Sequence, residues 1–356
     1  MKWKNHLSEL LKINYPIFQA PMFGVATPEM VTATITADCF GTLPLGDLDA
    51  DKCIEAIRKT KSLTKKTFGV NIFANEIPPI TEALKEQFQT TKDYIENFAK
   101  ENNLDIQLPK LEDIKVHSYH EQTDAIIEEN CKVVSFTFGN LDGATIEKLH
   151  SHNVILIGTC TSVGEALALE NSGIDIICVQ GIEAGGHRGS FSNENIPQIG
   201  GLSLLAQVTE KVKIPIIYAG GVYNPSTIKA AITCGAQGVQ VGSLLIGSKE
   251  SGLKDFEKER LHSLTEKDIT LTKSFSGRYA RGIRNKFIET IENTPYILPY
   301  PYQNKLTNSL RKLAKDQKNA DFVSIWVGQS LHPFSEESTH VILSKLIQDT
   351  NAIYPS

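Results

Sequence analysis

One histidine lies in a segment whose residues favour a catalytic or ligand-binding role. His187 lies within the segment EAGGHRG, residues 183–189, where glycines and an arginine surround it. An imidazole with its ordinary pKa near 6.5 can accept a proton or bind an anion at neutral pH. Most histidines are structural or solvated, but this segment directly follows a strongly apolar run. We therefore predict that His187 has a catalytic or substrate-binding role.

Two further segments place glycine directly after an apolar run. Gly220 and Gly221 form the first, and Gly242 followed by Ser243 forms the second. Small residues let backbone N–H groups approach an anion, and a helix that begins just beyond adds a favourable dipole. Gly220 and Gly221 alone could simply allow a tight turn. Two such segments in this order predict a phosphate site.

Eight apolar runs must position these residues, and they occupy residues 16–22, 40–46, 68–74, 133–139, 154–160, 174–181, 214–221 and 238–244. The runs are continuously hydrophobic, which is typical of parallel strands buried on both faces. Helix-start signals lie between them: Thr27-Pro28, Asn224-Pro225, and Ser162 with Glu165 as a capping box. An open doubly wound sheet would usually show G-x-G-x-x-G after its first strand, where this chain reads QAPM. We predict an α/β fold, a (β/α)₈ TIM barrel with its site at the carboxyl ends of the strands.

Two segments exceed a minimal barrel, and we expect the whole chain, residues 1–356, to form one unit. Residues 76–129 are polar and are expected to form a helical insertion after the third strand. Residues 250–356 are expected to form a helical C-terminal extension. Either segment could cover one mouth of the barrel. Arg278, Arg281 and Arg284 recur at a spacing of three in the extension, and we favour salt bridges that anchor it over contacts with an anion.

Composition excludes several functional classes. The chain is 41% hydrophobic and 22% charged, with a net charge of -5, so it has no basic surface for nucleic acid or an anionic membrane. The start lacks the apolar core of a signal peptide. The six cysteines are scattered without a C-x-x-C pair, which predicts reduced thiols and no metal site. We expect a cytoplasmic protein.

Several motifs together resemble those of the class I nitronate monooxygenases, formerly called 2-nitropropane dioxygenases. The motifs are QAPM at 19–22, FGVN at 68–71, GTCTS at 158–162, QGIEAGGHRG at 180–189, AGG at 219–221 and FSGRYARG at 275–282. The resemblance spans nearly the whole chain. The segment around His187 is quite specific to this family, whereas the paired glycine is shared by many FMN barrels.

The resemblance implies an FMN cofactor and the oxidation of a nitronate by O₂ to a carbonyl product and nitrite. The family suggests propionate 3-nitronate as the substrate, with His187 holding the nitro oxygens or removing a proton from a neutral nitroalkane. Phe23 replaces a residue that is usually small, which affects the expected substrate size, and Ser243 stands where threonine is common. The expected cofactor contacts are Pro21, Met22, Asn71, Gln180, Gly185, Gly220, Gly221, Gln240, Val241, Gly242 and Ser243.

Two alternatives stay open at this point. An NAD(P)H-dependent reductase of the enoyl-acyl carrier protein reductase type shares the barrel, FMN and a glycine-flanked histidine. Arg188 and the motif at 275–282 favour the monooxygenase. A flavin-binding protein without turnover is the other alternative. The sequence does not define an oligomeric state.

Overall fold

The structure is a computed structural model and describes residues 1–355, so the final residue of the predicted extension, Ser356, lies outside the described residues. The strands are β1 Ile17–Gln19, β2 Thr42–Gly46, β3 Gly69–Phe73, β4 Val133–Thr137, β5 Ile155–Cys160, β6 Ile176–Gln180, β7 Gly186–His187, β8 Ile216–Ala219, β9 Gly238–Val241, β10 Ile269–Thr272 and β11 Ala280–Ile283. The helices are α1 His6–Leu11, α2 Pro28–Thr36, α3 Ala50–Leu63, α4 Glu82–Glu101, α5 Tyr119–Glu128, α6 Gly143–Ser151, α7 Val163–Asn171, α8 Gly201–Thr209, α9 Pro225–Thr233, α10 Asp255–His262, α11 Lys286–Ile291, α12 Tyr302–Asp316 and α13 Thr339–Ile353.

A parallel barrel forms the centre of the fold, and each of its strands lies within one of the eight predicted runs. The strand order is β1-β9-β8-β6-β5-β4-β3-β2. The barrel closes between β1 and β2, where the Gln19 N–H donates to the Phe40 carbonyl over 2.9 Å and Phe18 pairs with Phe40. The barrel prediction is confirmed, because strands buried on both faces leave an uninterrupted apolar signal in the sequence.

The predicted helix starts are largely observed. Thr27 caps α2 by accepting the Met30 N–H at 3.1 Å, and Asn224 caps α9 in the same way. Ser162 also caps its helix, α7. The prediction of a capping box is otherwise wrong, because the Glu165 side chain does not accept the Ser162 N–H in return. The Glu165 carboxylate instead accepts the backbone N–H of Thr161 at 2.6 Å, one residue before the cap.

The two long segments divide their helices between the barrel and a second layer. Helix α5 packs against α3 and α6 in the outer ring, and α13 at the end of the chain packs against α2 and α9 in the same ring. The extension is not wholly helical, since β10 and β11 form a small antiparallel sheet with β7. The alternating, β-branched sequence of β10, Ile-Thr-Leu-Thr, suits a half-buried strand.

Two large hydrophobic clusters result. The barrel core joins the strands to the outer helices. The second core joins α4 to the extension, and Phe88, Ile95, Phe287 and Leu306 are among its buried members. Within residues 1–355, no helix is long and apolar enough to cross a membrane.

Candidate active site

A cavity of about 480 Å³ opens at the carboxyl ends of the barrel strands, between the barrel and the extension. Of the predicted site residues, those that line it are Pro21, Met22, Asn71, Gln180, Gly185, His187, Gly220, Gly221, Gln240, Gly242 and Ser243. Val241 does not line it, because its side chain is fully buried in the barrel core. Its neighbours on either side, Gln240 and Gly242, line the cavity instead.

The glycines after β8 and β9 form a cradle, and its backbone donors are free. Gly220 and Gly221 have φ values of +131° and +66°, a region that strains residues with a Cβ. Within the described chain, the N–H groups of Gly220, Gly221 and Gly242 donate no hydrogen bond. The Ser243 hydroxyl accepts the Gly328 N–H at 2.8 Å, which leaves its own proton available. The start of α9 follows the first glycine pair. This combination suits an anion such as a phosphate.

The Glu183 side chain packs against the backbone of the cradle. Its carboxylate accepts the Gly201 N–H at 3.0 Å and the Tyr218 hydroxyl. A Cβ built on Gly201 would lie 2.1 Å from Glu183 Oε1, and one on Gly220 would lie 3.2 Å from it. The backbone can approach this carboxylate only because these positions lack a side chain.

His187 lies in strand β7, where Gly186 and His187 pair with Arg281 and Ala280 of β11. This pairing joins the two motifs that the sequence places about ninety residues apart. Gln180 braces the same strand: its Nε2 donates to the His187 carbonyl at 3.0 Å, and its Oε1 accepts the Gly189 N–H at 2.8 Å. Both ends of the Gln180 amide are thus engaged in positioning His187.

Ser276 fixes the tautomer of the His187 ring. The Ser276 hydroxyl donates to the Arg278 carbonyl at 3.0 Å, so it must accept from His187 Nε2, 2.8 Å away. The ring proton is therefore on Nε2, and Nδ1 carries a lone pair. Within the described chain, Nδ1 has no hydrogen-bond partner. His187 thus offers the cavity an acceptor rather than a donor.

The electrostatics of the site keep His187 neutral. Burial of the imidazole, together with the positive charges of Arg278 and Arg311, lowers the pKa of His187 to about 3. The expectation of an ordinary pKa near 6.5 is wrong, since the extension covers the ring and adds cations that a single segment of sequence does not show. A group with so low a pKa is a weak general base at neutral pH.

Two of the three arginines predicted to anchor the extension, Arg278 and Arg281, do so, although not through salt bridges, whereas Arg284 is exposed. Arg278 is buried, donates to the carbonyls of Ser190 and Phe191, and lies over the Phe138 ring at 4.4 Å. Arg281 Nε donates to the Ile182 carbonyl at 3.1 Å. Guanidinium groups bound to main-chain carbonyls hold the extension onto the segment around His187.

Aromatic rings enclose His187. The ring centroids of Phe138 and Trp326 each lie 5.5 Å from that of His187. Phe73 extends the wall beyond Phe138 at 4.6 Å. Phe23 is 44% exposed at the rim of the cavity and lies 6.5 Å from Phe73, so it narrows the entrance rather than the deep part of the site.

One wall of the cavity escaped the sequence prediction. It comes from the extension and consists of Tyr300, Asn304, Asn308, Arg311, Lys312, Lys315, Ser324 and Trp326. The α12 members follow the 3.6-residue period of a helix, with Arg311 and Lys312 adjacent, which places them on one helix face. The sequence signal that could have revealed this wall is the polar face of α12, which lies opposite the buried Leu306 and Leu310. An ordinary solvent-exposed helix face has the same pattern, so the sequence does not indicate that this face lines a cavity.

Comparisons with known proteins assign the chain to a family. The family model described as nitronate monooxygenase matches residues 4–349. The chain belongs to the nitronate monooxygenase family. It is 35% identical over 353 residues to proteins named probable nitronate monooxygenase from Staphylococcus aureus strains JH9 and Newman, and 98% of each chain is covered. The family assignment makes the chain an oxidoreductase.

Solved structures extend the likeness to the fold. A nitroalkane oxidase from Streptomyces ansochromogenes superimposes with a TM-score of 0.86 at 30% identity and 98% coverage of both chains. FabK from Thermotoga maritima superimposes with a TM-score of 0.74 at 23% identity, over 98% of this chain and 97% of that one. The second likeness shows a shared barrel and no more.

Proposed function

We propose that this chain binds FMN and oxidises alkyl nitronates with O₂, giving a carbonyl product and nitrite, with propionate 3-nitronate as the expected substrate. The observation that carries the proposal is the anion cradle of Gly220, Gly221 and Gly242, with free N–H groups, beside a neutral His187. Family membership supports a flavin enzyme.

The residues present fit FMN. A phosphate monoester would take the cradle N–H groups and the Ser243 hydroxyl. Asn71 donates its Nδ2 hydrogen to Ser135 at 2.8 Å, which leaves its Oδ1 as an acceptor for a ring N–H. A cavity of about 480 Å³ lies within the usual range for a cofactor site. When bound, the flavin would accept electrons from the substrate and pass them to oxygen.

The protein supplies position and electrostatics. The aromatic wall of Phe138 and Trp326 excludes water from one side of His187. Because the His187 Nδ1 atom is a weak acceptor, a substrate that has already lost its α-proton suits this site better than a neutral nitroalkane. The expectation that His187 also holds the nitro oxygens conflicts with its lone pair, since two acceptors repel.

Reconstitution tests this proposal. Purified protein is incubated with FMN, and oxygen uptake and nitrite are measured after propionate 3-nitronate is added. We expect both signals with FMN and neither with riboflavin, which lacks the phosphate for the cradle. Absence of flavin binding, or bound FMN without oxygen uptake, would contradict the proposal. Rapid anaerobic bleaching of the flavin by NADPH would instead support the reductase.

A further inference from the structure

Arg311 is a cation without a counter-ion. Its side chain lines the cavity. Nη2 donates to the carbonyl and Oδ1 of Asn304 at 2.9 and 2.8 Å, and Nε donates to the Thr307 carbonyl at 3.4 Å. All three acceptors are neutral. No carboxylate of residues 1–355 lies within ion-pair distance of its guanidinium, and no described residue accepts a hydrogen bond from Nη1.

The neighbouring charges are already neutralised or solvated. Asp47, the acid whose charge acts on Arg311, forms an ion pair with Lys305 at 2.6 Å. Lys315 pairs with buried Glu257 at 3.0 Å. Lys312 is exposed at the rim. Among the cations of this wall, Arg311 is therefore the one that is enclosed and whose charge no neighbouring side chain of residues 1–355 neutralises.

Keeping such a charge inside the protein is costly unless something binds it. Burial lowers the pKa of Arg311 to about 10, so the group still carries its charge at neutral pH. Its charge also reaches His187, whose pKa it helps to lower. The two groups therefore share one part of the cavity, with Tyr300 among the lining residues.

His187 cannot supply the donor that an anion needs. Its proton is directed at Ser276, and its Nδ1 lone pair would repel a negatively charged oxygen. Arg311 Nη1 carries two N–H groups that no described residue uses. A charged donor of this kind makes stronger hydrogen bonds to an anion than a neutral one does.

We propose that Arg311 binds the charged nitro oxygens of the nitronate, while His187 stays a neutral acceptor beside it. The assignment of the anion as a nitronate rests on the proposed function. The assignment of Arg311 as the anion-binding residue rests only on the contacts of the wall.

Ligand charge tests this assignment. The FMN-loaded protein is titrated with propionate, which has the charge and the planar oxygen pair of a nitronate, and with neutral propionamide. Binding is followed by the change in flavin absorbance. For Arg311→Gln we expect propionate to bind about 10- to 100-fold more weakly, the effect of losing one charged hydrogen bond, while propionamide binding stays unchanged.

Three further measurements guard against a merely structural effect. The affinity for FMN should be unchanged in Arg311→Gln, Arg311→Lys should recover part of the propionate affinity, and guanidinium ion should restore binding in Arg311→Ala. Arg284→Gln is the matched control, since Arg284 is exposed in the same extension. The assignment would be overturned if Arg311→Gln weakened the binding of propionate and propionamide by the same factor, or if it weakened the binding of neither.

The experiment separates this inference from the proposed function. Charge-selective binding of propionate that depends on Arg311, without oxidation of any nitronate, would leave the anion site standing and refute the oxidation. Nitronate turnover at the wild-type kcat/KM in Arg311→Gln would refute the role of Arg311 alone.

Discussion

The depressed pKa of His187 should make the folded protein sensitive to mild acid. In the unfolded chain the imidazole titrates at about 6.5, whereas the folded protein keeps it neutral down to about 3. Between these values the unfolded state binds a proton that the native state does not. The contribution of His187 to the free energy of unfolding is constant above about pH 6.5. Below that value it falls as the pH decreases, by up to about 1.4 kcal/mol per pH unit. At pH 5 the loss amounts to about 2 kcal/mol.

His187→Gln removes this titration, and its amide can still donate to Ser276. The free energy of unfolding is measured with urea at pH 7.5 and pH 5.0 in the flavin-free protein. Wild type should lose about 2 kcal/mol more than the variant between the two values. The control is His6→Asn, which alters an exposed histidine of α1 and should leave the pH dependence as in wild type.

Parallel pH dependence in wild type and His187→Gln would refute the reasoning. NMR of histidine labelled in the ring gives an independent check on the same variant pair. The resonance that disappears in His187→Gln should not titrate between pH 5 and 8 in wild type. A midpoint near 6.5 for that resonance would mean that the ring is not enclosed as described.

Two further predictions concern the cofactor and the substrate. Gly242 has a negative φ, and a Cβ there would only touch Ala20 and Met22, so Gly242→Ala should fold normally yet bind FMN at least about tenfold more weakly by fluorescence titration. Gly143→Ala, in open space at the start of α6, is its control, and equal affinities would place the phosphate elsewhere. Because His187 is a weak base, kcat/KM for propionate 3-nitronate should exceed that for the neutral nitro form by about 100-fold or more at pH 7.5. Comparable values would show that the site removes the α-proton efficiently.

The barrel could be predicted because the burial of each strand leaves a continuous signal within a short stretch of sequence. Strands such as β5 and β6 are buried on both faces, so each one appears as an uninterrupted apolar run. The glycines at their carboxyl ends could be placed for the same reason, since strand order fixes which loops meet. Gly220 and Gly242 accordingly line one cavity.

The second wall of the site depends on long-range packing. Arg311 is more than a hundred residues from His187 in the chain, and only the second core brings α12 against the barrel. The low pKa of His187 has the same origin, because burial and distant cations produce it. Strand β7 escaped prediction since a two-residue strand has no periodicity of its own and forms only when β11 lies beside it.

The division of the interior into two cores has a consequence for how substrate range could diverge. The cradle glycines belong to loops held by the barrel core, whereas Tyr300, Asn308 and Arg311 face the cavity from elements packed in the second core. Exchanges on the polar face of α12 leave the cradle backbone and its φ angles untouched. Substitutions confined to the polar face of α12 therefore offer a route to a new substrate range that spares the proposed flavin site.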